Sequence, residues 1–165
     1  MGKPKAYVGI DPGQTGAIAV LSDGGIPKVW EWPGDEIAAA EIVREIVFSF
    51  DVCLCALEAV SAMPKQGVSS TFKFGANWGI WRGILAALQV PFILVRPQEW
   101  HKNIVPKKAS PDEKPSLAVA RRMFPDVDMH RKKDHGMADA LLLAYYAKQH
   151  GKLASACREA EETFL

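Results

Sequence analysis

Three acidic residues stand at points where the sequence predicts rigid, apolar structure: Asp11 in "GIDPGQTG", Glu58 in "CALEAV" and Asp139 in "DHGMADALLLAYY". Asp11 and Glu58 each end a run typical of a buried strand, and Asp139 opens an apolar run of helical period. A carboxylate in apolar surroundings is destabilising unless it is paired or bound to a cation. Two carboxylates at neighbouring strand ends and a third from a helix packed over them could converge, and a hard divalent cation would offset their repulsion.

The chemistry predicted for such a group is phosphodiester hydrolysis. Two Mg²⁺ ions about 3.5–4 Å apart can activate a water and stabilise the leaving oxygen. Each carboxylate also has a simpler explanation when it is taken alone. Asp11 could cap an Asp-Pro-Gly turn, Glu58 could lie at an exposed strand end, and Asp139 could favour the first turn of a helix. The metal interpretation depends on all three occurring together.

The elements that must position these residues follow the order β-β-β-α-β-α-β-α-α. The first strands form a meander joined by short glycine turns, and strands then alternate with helices, which predicts a mixed α/β sheet with helices on its faces. In such sheets the chemistry lies at strand ends, near a change of strand order. The predicted elements are two strands within 6–19, a strand at 28–32, a helix at 35–50, a strand at 52–57, a polar loop at 63–71, a helix at 72–88, a strand at 91–95, a long loop at 96–115 with a helical piece near 99–103, and helices at 116–124 and 137–150.

Length and charge limit the class of protein. The 165 residues fit one domain, with a core at about 6–149 and a helical tail at 151–165. Between Arg96 and Lys133 positive charges exceed negative ones by five, although the whole chain carries only +1. This stretch is either a surface for a polyanion or a solvated charged face. No apolar run has the length of a membrane span and no secretory signal is visible, so we expect a cytoplasmic protein with its three cysteines reduced.

Four segments carry a resemblance to a known family: "GIDPGQTGAIAV", "CALEAV", "GVSSTFKFGANWGIWRGIL" and "DHGMADALLLAYYA". In this order, over most of residues 6–149, the chain resembles the RuvC-type Holliday junction resolvases of the RNase H-like superfamily, especially the small versions found in bacteriophages. The resemblance implies an RNase H-like fold with a mixed five-stranded sheet, a homodimer, and paired symmetric nicks across a four-way DNA junction. It also implies two Mg²⁺ or Mn²⁺ ions per active site, and a bacterial or phage-infected cytoplasm. Gly13 and Gly16 would let the backbone turn beside Asp11 without crowding a metal or phosphate.

The resemblance also suggests a ligand set. Asp11, Glu58 and Asp139 match three metal ligands of the family, which places an Asp or His about one helical turn before the last Asp. The residue three positions before Asp139 is a glycine, which cannot ligate. His135 lies four positions before and shares a helical face with Asp139, whereas Asp134 lies five before and could reach the site from an N-cap position. Both remain candidates for the fourth ligand.

Two polar segments are predicted to contact DNA. After Glu58, Phe72 could stack on or wedge between bases, while neighbouring hydroxyls and lysines could bind phosphates. In the second segment Lys102 could stabilise charge on the phosphate, with Lys107 and Lys108 as alternatives. The predicted DNA-contacting residues are Lys65, Ser69, Ser70, Thr71, Phe72, Lys73, Lys107, Lys108, Arg131, Lys132 and Lys133.

Other functions and assemblies fit parts of the pattern. An RNase H or a general branched-DNA nuclease would keep the same metal chemistry, and a non-catalytic junction-binding module would keep only the fold. A sugar-kinase or actin-like phosphotransferase would need a second domain and about twice this length. Apolar residues of the middle helix could either line a dimer interface or be buried in the monomer: Trp78, Ile80, Trp81, Ile84 and Leu85.

Overall fold

The computed structural model describes residues 2–59, 67–106 and 114–163, with side chains as far as residue 152. The elements are β1 (Lys5–Asp11), β2 (Ala17–Ser22), β3 (Lys28–Glu31), α1 (Glu36–Ser49), β4 (Asp51–Glu58), α2 (Val68–Ala87), β5 (Phe92–Val95), α3 (Pro97–Ile104), α4 (Pro115–Met123), a 3₁₀ turn (Lys132–Asp134) and α5 (His135–Thr163). Lys65, Lys107 and Lys108 lie outside the described residues.

The five strands form one mixed sheet in the order β3-β2-β1-β4-β5. β1, β2 and β3 pair antiparallel, as the predicted meander requires, whereas β4 is parallel to both β1 and β5. The carboxyl ends of β1, β4 and β5 therefore meet at one edge of the sheet. The predicted α/β architecture, a mixed five-stranded sheet with antiparallel and parallel strands, is confirmed.

Side chains of successive strand residues alternate between the two faces of the sheet, and each face has its own core. On one face Tyr7 and Ala19 pack with residues of α5 such as Leu142. On the other face Val8 and Ile10 pack with α1 and α2. Helices thus cover both faces, which explains why β1 and β2 are apolar almost throughout.

Helix α5 lies directly on the central strand β1. A Cβ at Gly9 would overlap the carbonyl oxygen of Ala140 and the amide nitrogen of Ala144. The contact requires glycine on the strand and small residues on the helix. This close packing fixes where the first turn of α5 lies at the carboxyl edge of the sheet.

Three helices differ from the sequence prediction. α2 begins at Val68, so residues 68–71 are helical rather than part of a loop. The sequence predicts a loop there because these residues are polar and because the N-cap residue, Gly67, makes no side-chain capping hydrogen bond. α3 extends over Pro97–Ile104 because Pro97 is favoured at its first position and the Glu99 carboxylate accepts a 3.1 Å hydrogen bond from the Arg96 backbone N–H. α5 begins two residues earlier than predicted and continues to Thr163. Within the described ranges no helix is long and apolar enough to cross a membrane.

Candidate metal centre

The carboxyl edge of the sheet holds the three acidic residues that the sequence singles out. Ile10 pairs with Leu57 in the parallel β1–β4 ladder, so the next residues, Asp11 and Glu58, end neighbouring strands side by side. α5 brings His135 and Asp139 to the same edge. Ligand atoms of Asp11, His135 and Asp139 all lie within 4.8 Å of one another.

A glycine at the start of α5 makes this convergence possible. A Cβ at Gly136 would overlap the carbonyl oxygen of Thr15, in the turn that follows Asp11. The first turn of α5 therefore packs against the β1–β2 turn. Gly16 has a related role, because a Cβ there would overlap the carbonyl oxygen of Asp11.

The turn after β1 fixes the carboxylate of Asp11. The backbone N–H of Gly13 donates a 3.0 Å hydrogen bond to Oδ1 of Asp11. The buried amide of Asn77, on α2, donates to the carbonyl oxygens of Pro12 at 2.7 Å and of Gly13 at 3.3 Å. Burial raises the pKa of Asp11 to about 6, and the Asp139 charge adds to that shift, while the Gly13 hydrogen bond opposes it. In the metal-free chain this carboxylate is held where its charge is poorly solvated.

Two indole groups hold Glu58. Nε1 of Trp100 donates to Oε1 of Glu58 at 3.0 Å, and Nε1 of Trp78 donates to the Glu58 carbonyl oxygen at 3.1 Å. Burial raises the pKa of Glu58 to about 7, the Asp11 and Asp139 charges raise it further, and the Trp100 hydrogen bond opposes them. Glu58 is outside the compact group formed by the other three residues, but it interacts electrostatically with two of them.

Asp139 has the clearest sign of a missing partner. Its Oδ1 atom is buried and, among the described residues, has no hydrogen-bond partner. Burial raises the pKa of Asp139, while a hydrogen bond from Ser116 and the charge of Lys114 lower it. A buried carboxylate oxygen without a partner is destabilising unless something binds it. Carboxylate and imidazole donors this close together fit a divalent cation, so the residues are suited to a metal.

The structure places His135, rather than Asp134, beside Asp11 and Asp139. Asp134 is only 2% exposed, and it accepts hydrogen bonds from the Arg131 backbone N–H at 2.7 Å and from its Nε at 2.8 Å. Its carboxylate is therefore committed to Arg131, which also pairs with Glu31 on β3. His135, one residue later, lies beside Asp11 and Asp139. Desolvation is the main cause that lowers the pKa of His135, so its ring favours the neutral form that binds metals.

Among the described residues, Lys114 is a lysine whose charge acts on this site and which the sequence analysis does not single out. Lys114 lowers the pKa of Asp11, His135 and Asp139 through its positive charge. Lys102, the predicted candidate, is exposed on α3. A signal for Lys114 was present in the sequence, because it ends the lysine-rich segment directly before Pro115 and the helix that Pro115 opens.

The structure places the other predicted DNA contacts on two exposed surfaces. Ser69, Ser70, Phe72 and Lys73 are exposed in the first turns of α2, and Phe72 is 77% exposed. Thr71 is half-buried, and its hydroxyl donates to the Gly67 carbonyl oxygen.

The second surface is the basic run before α5. Lys132 and Lys133 are exposed there. Arg131 is committed to Glu31 and Asp134, so its geometry indicates a structural role within the chain rather than a free phosphate contact.

The class that the fold defines is that of mixed α/β proteins with a five-stranded sheet of order β3-β2-β1-β4-β5, and solved RuvC structures share this fold. A solved RuvC of Thermus thermophilus aligns with a TM-score of 0.58 at 18% identity, covering 88% of this chain and 97% of that one. T. thermophilus RuvC in complex with a Holliday junction substrate aligns with a TM-score of 0.55 at 17% identity, covering 87% and 90%. No protein-family model and no curated protein matches the sequence. The chain thus shares the RuvC fold over nearly its whole length.

Proposed function

We propose that this protein is a metal-dependent endodeoxyribonuclease that resolves four-way DNA junctions by paired symmetric nicks. The observation that carries the proposal is the convergence of Asp11, His135 and Asp139 at the carboxyl edge of the sheet, with Glu58 beside them. The buried Oδ1 of Asp139 has no hydrogen-bond partner among the described residues, so a bound cation would stabilise it. The RuvC-like fold supports junction DNA as the substrate, since one of the similar structures is a RuvC bound to it.

The metal would be Mg²⁺ or Mn²⁺, and we propose two ions per site. Asp11, Asp139 and His135 would hold one ion, and Glu58 with Asp11 would hold the other. When bound, such ions activate a water and stabilise the leaving oxygen of a phosphodiester. The chain itself contributes the fixed turn that orients Asp11 and the indole that orients Glu58.

Positive charge near the site would hold the scissile phosphate. We propose Lys114 for this role because its charge already acts on three of the four candidate ligands. Lys102, which is exposed on α3, would then contact the phosphate backbone, and Lys107 and Lys108 stay predicted phosphate contacts. Such contacts position DNA without reading its sequence.

The exposed end of α2 and the basic run before α5 would bind the junction arms. Phe72 is largely exposed although it is a large aromatic residue, which favours stacking on bases that are unpaired at the junction centre. Lys73, Ser69 and Ser70 lie beside it on the same helical turns. Lys132 and Lys133, together with Lys65, would contact phosphates.

A homodimer would place two sites to cut opposing strands, and α2 offers a face for it. Gly75, Gly79 and Gly83 recur at four-residue intervals, and a Cβ at each would meet no atom of the described residues within 4 Å. This open glycine face would allow close approach of a second α2. The apolar residues first considered for the interface contribute less, because Trp81 and Leu85 are fully buried in the monomer.

The proposal is tested with a labelled immobile four-way junction, Mg²⁺ and the Asp11→Asn variant, with exposed Asp126→Asn as the matched control. We expect paired nicks on opposing strands for the wild type and for Asp126→Asn, and no nicks with EDTA or with Asp11→Asn. Tight junction binding without cleavage under Mg²⁺ or Mn²⁺ would instead indicate a binding module. Equal cleavage of linear duplex or of RNA–DNA hybrid would indicate a general nuclease or an RNase H on the same metal site.

A further inference from the structure

We infer that Trp100 is a positioning residue for Glu58: its indole N–H fixes one carboxylate oxygen and leaves the other directed to the metal. The inference rests on the metal centre proposed above and extends it to a fully buried residue that is not itself a candidate ligand. Its physical basis is the 3.0 Å hydrogen bond from Nε1 of Trp100 to Oε1 of Glu58.

The fold delivers Trp100 to this point from the neighbouring strand. Glu58 and Val95 are paired across the β4–β5 ladder, and the N–H of Ala59 donates to the Val95 carbonyl oxygen at 2.8 Å. α3 starts two residues after Val95, so its first turn stands over the end of β4. Pro97 and the Arg96–Glu99 pair fix the start of α3, and Trp100 lies at its fourth position.

Packing fixes the direction of the indole N–H. Trp100 is fully buried and belongs to the same core cluster as Val95 and Leu117. Its ring also makes an edge contact with His101, with 4.0 Å between ring centroids. Because the buried Trp100 ring has a fixed orientation, its hydrogen bond favours one orientation of the Glu58 carboxylate. Groups that orient a metal ligand in this way typically change metal affinity about 10- to 100-fold when they are removed.

The chain supplies matched controls for this bond. Trp78 also donates to Glu58, but to its backbone carbonyl oxygen, which β4 already holds in place. Trp81 is as fully buried as Trp100, and its Nε1 has no hydrogen-bond partner among the described residues. Trp→Phe at each of the three positions removes similar ring volume, but only Trp100→Phe releases the Glu58 carboxylate.

The test measures Mn²⁺ binding to the DNA-free protein by calorimetry, alongside thermal denaturation of each variant in EDTA. We expect Trp100→Phe to raise the Kd for Mn²⁺ about 10- to 100-fold, in the range typical of such groups. Trp81→Phe should lower the Tm comparably and leave the Kd unchanged, and Trp78→Phe should change the Kd less than Trp100→Phe does. Equal Kd values for Trp100→Phe and Trp81→Phe would overturn the positioning role. A wild type that binds no Mn²⁺ would overturn the metal centre itself, which is a separate result.

A second measurement uses the unsubstituted chain, so it stands even if Trp100→Phe does not fold. In protein with ¹⁵N-labelled tryptophan, the indole N–H signals are followed during Mg²⁺ addition. The Trp100 signal should shift as the site fills, because the carboxylate that accepts its hydrogen bond binds the metal through its other oxygen, while the Trp81 signal should stay in place. An unmoved Trp100 signal with saturating Mg²⁺ binding would refute the inference.

Discussion

The Asp11→Asn substitution should stabilise the metal-free protein at neutral pH, although it removes a residue proposed to be essential. The physical reason is the raised pKa of Asp11, about 6 instead of 3.8, which comes mainly from desolvation. The folded chain therefore binds a proton at Asp11 more tightly than the unfolded chain does. Stability is fullest below the unfolded pKa and is lost as pH rises through the folded one.

The size of the effect follows from the shift. Two pKa units correspond to about 3 kcal/mol of destabilisation once Asp11 is ionised. Most of that loss develops between about pH 4 and pH 6, so a comparison of pH 4 with pH 7.5 should capture about 2–3 kcal/mol of it. His135 acts in the opposite direction because its pKa is lowered, mainly by desolvation. The desolvation of His135 is present in both proteins and cancels when they are compared, whereas the contribution of the Asp11 charge to its pKa does not.

The assay is urea denaturation in EDTA, followed by tryptophan fluorescence, for wild type, Asp11→Asn and the exposed control Asp126→Asn. Asp11→Asn should match the wild type near pH 4 and exceed its free energy of unfolding by about 2–3 kcal/mol at pH 7.5. The control should track the wild type throughout. Mg²⁺ at about 100 times its Kd should add about 2.7 kcal/mol to the wild type and little to Asp11→Asn. If Asp11→Asn were the less stable protein at pH 7.5 in EDTA, the account of a strained, cation-requiring carboxylate would be wrong.

Three further predictions address the elements around the site. Gly136→Ala should lower the free energy of unfolding by about 1–3 kcal/mol and weaken Mn²⁺ binding, because the added methyl would overlap the Thr15 carbonyl oxygen. Denaturation curves identical to those of the wild type would contradict this packing. Arg131→Ala should destabilise the fold by about 1–3 kcal/mol, because it leaves the buried carboxylate of Asp134 unpaired. Lys132→Ala should instead keep the Tm and reduce the salt dependence of junction binding by about one counterion. The reverse pattern would make Arg131 the DNA contact. Phe72→Ala should weaken junction binding by about 1–3 kcal/mol with no loss in thermal stability, and equal affinity for the junction in a gel-shift titration would remove Phe72 from the interface.

The sequence predicted the framework of the site because that framework depends on local pattern. Apolar runs that end in Asp11 and Glu58 predict strands, and parallel neighbours must bring their ends to one edge. The apolar period after Asp139 predicts a helix that packs on the sheet. These features persist in the structure, and so do the two-sided core and the order of the elements.

The details that the sequence left open depend on contacts between distant segments. Spacing could not predict that His135 lies beside Asp11 and Asp139 while Asp134 pairs with Arg131. This arrangement depends on the contact of Gly136 with Thr15 and on a salt bridge that reaches Glu31. The start of α2 was missed because no capping side chain marks it. The bond from Trp100 to Glu58 joins residues 42 positions apart, and no local period reports such a pair.

The seating of α5 on β1 has a consequence for how the protein opens. The helix that carries His135 and Asp139 also covers one of the two cores, and its backbone is in direct contact with β1 at Gly9. Amide hydrogens in its central turns should therefore exchange with solvent only when the whole domain unfolds. Asp139 directly precedes the residue that contacts Gly9, so it should not loosen by a local fluctuation. A bound cation would thus protect the entire domain from unfolding, and the metal site and the fold would be lost together.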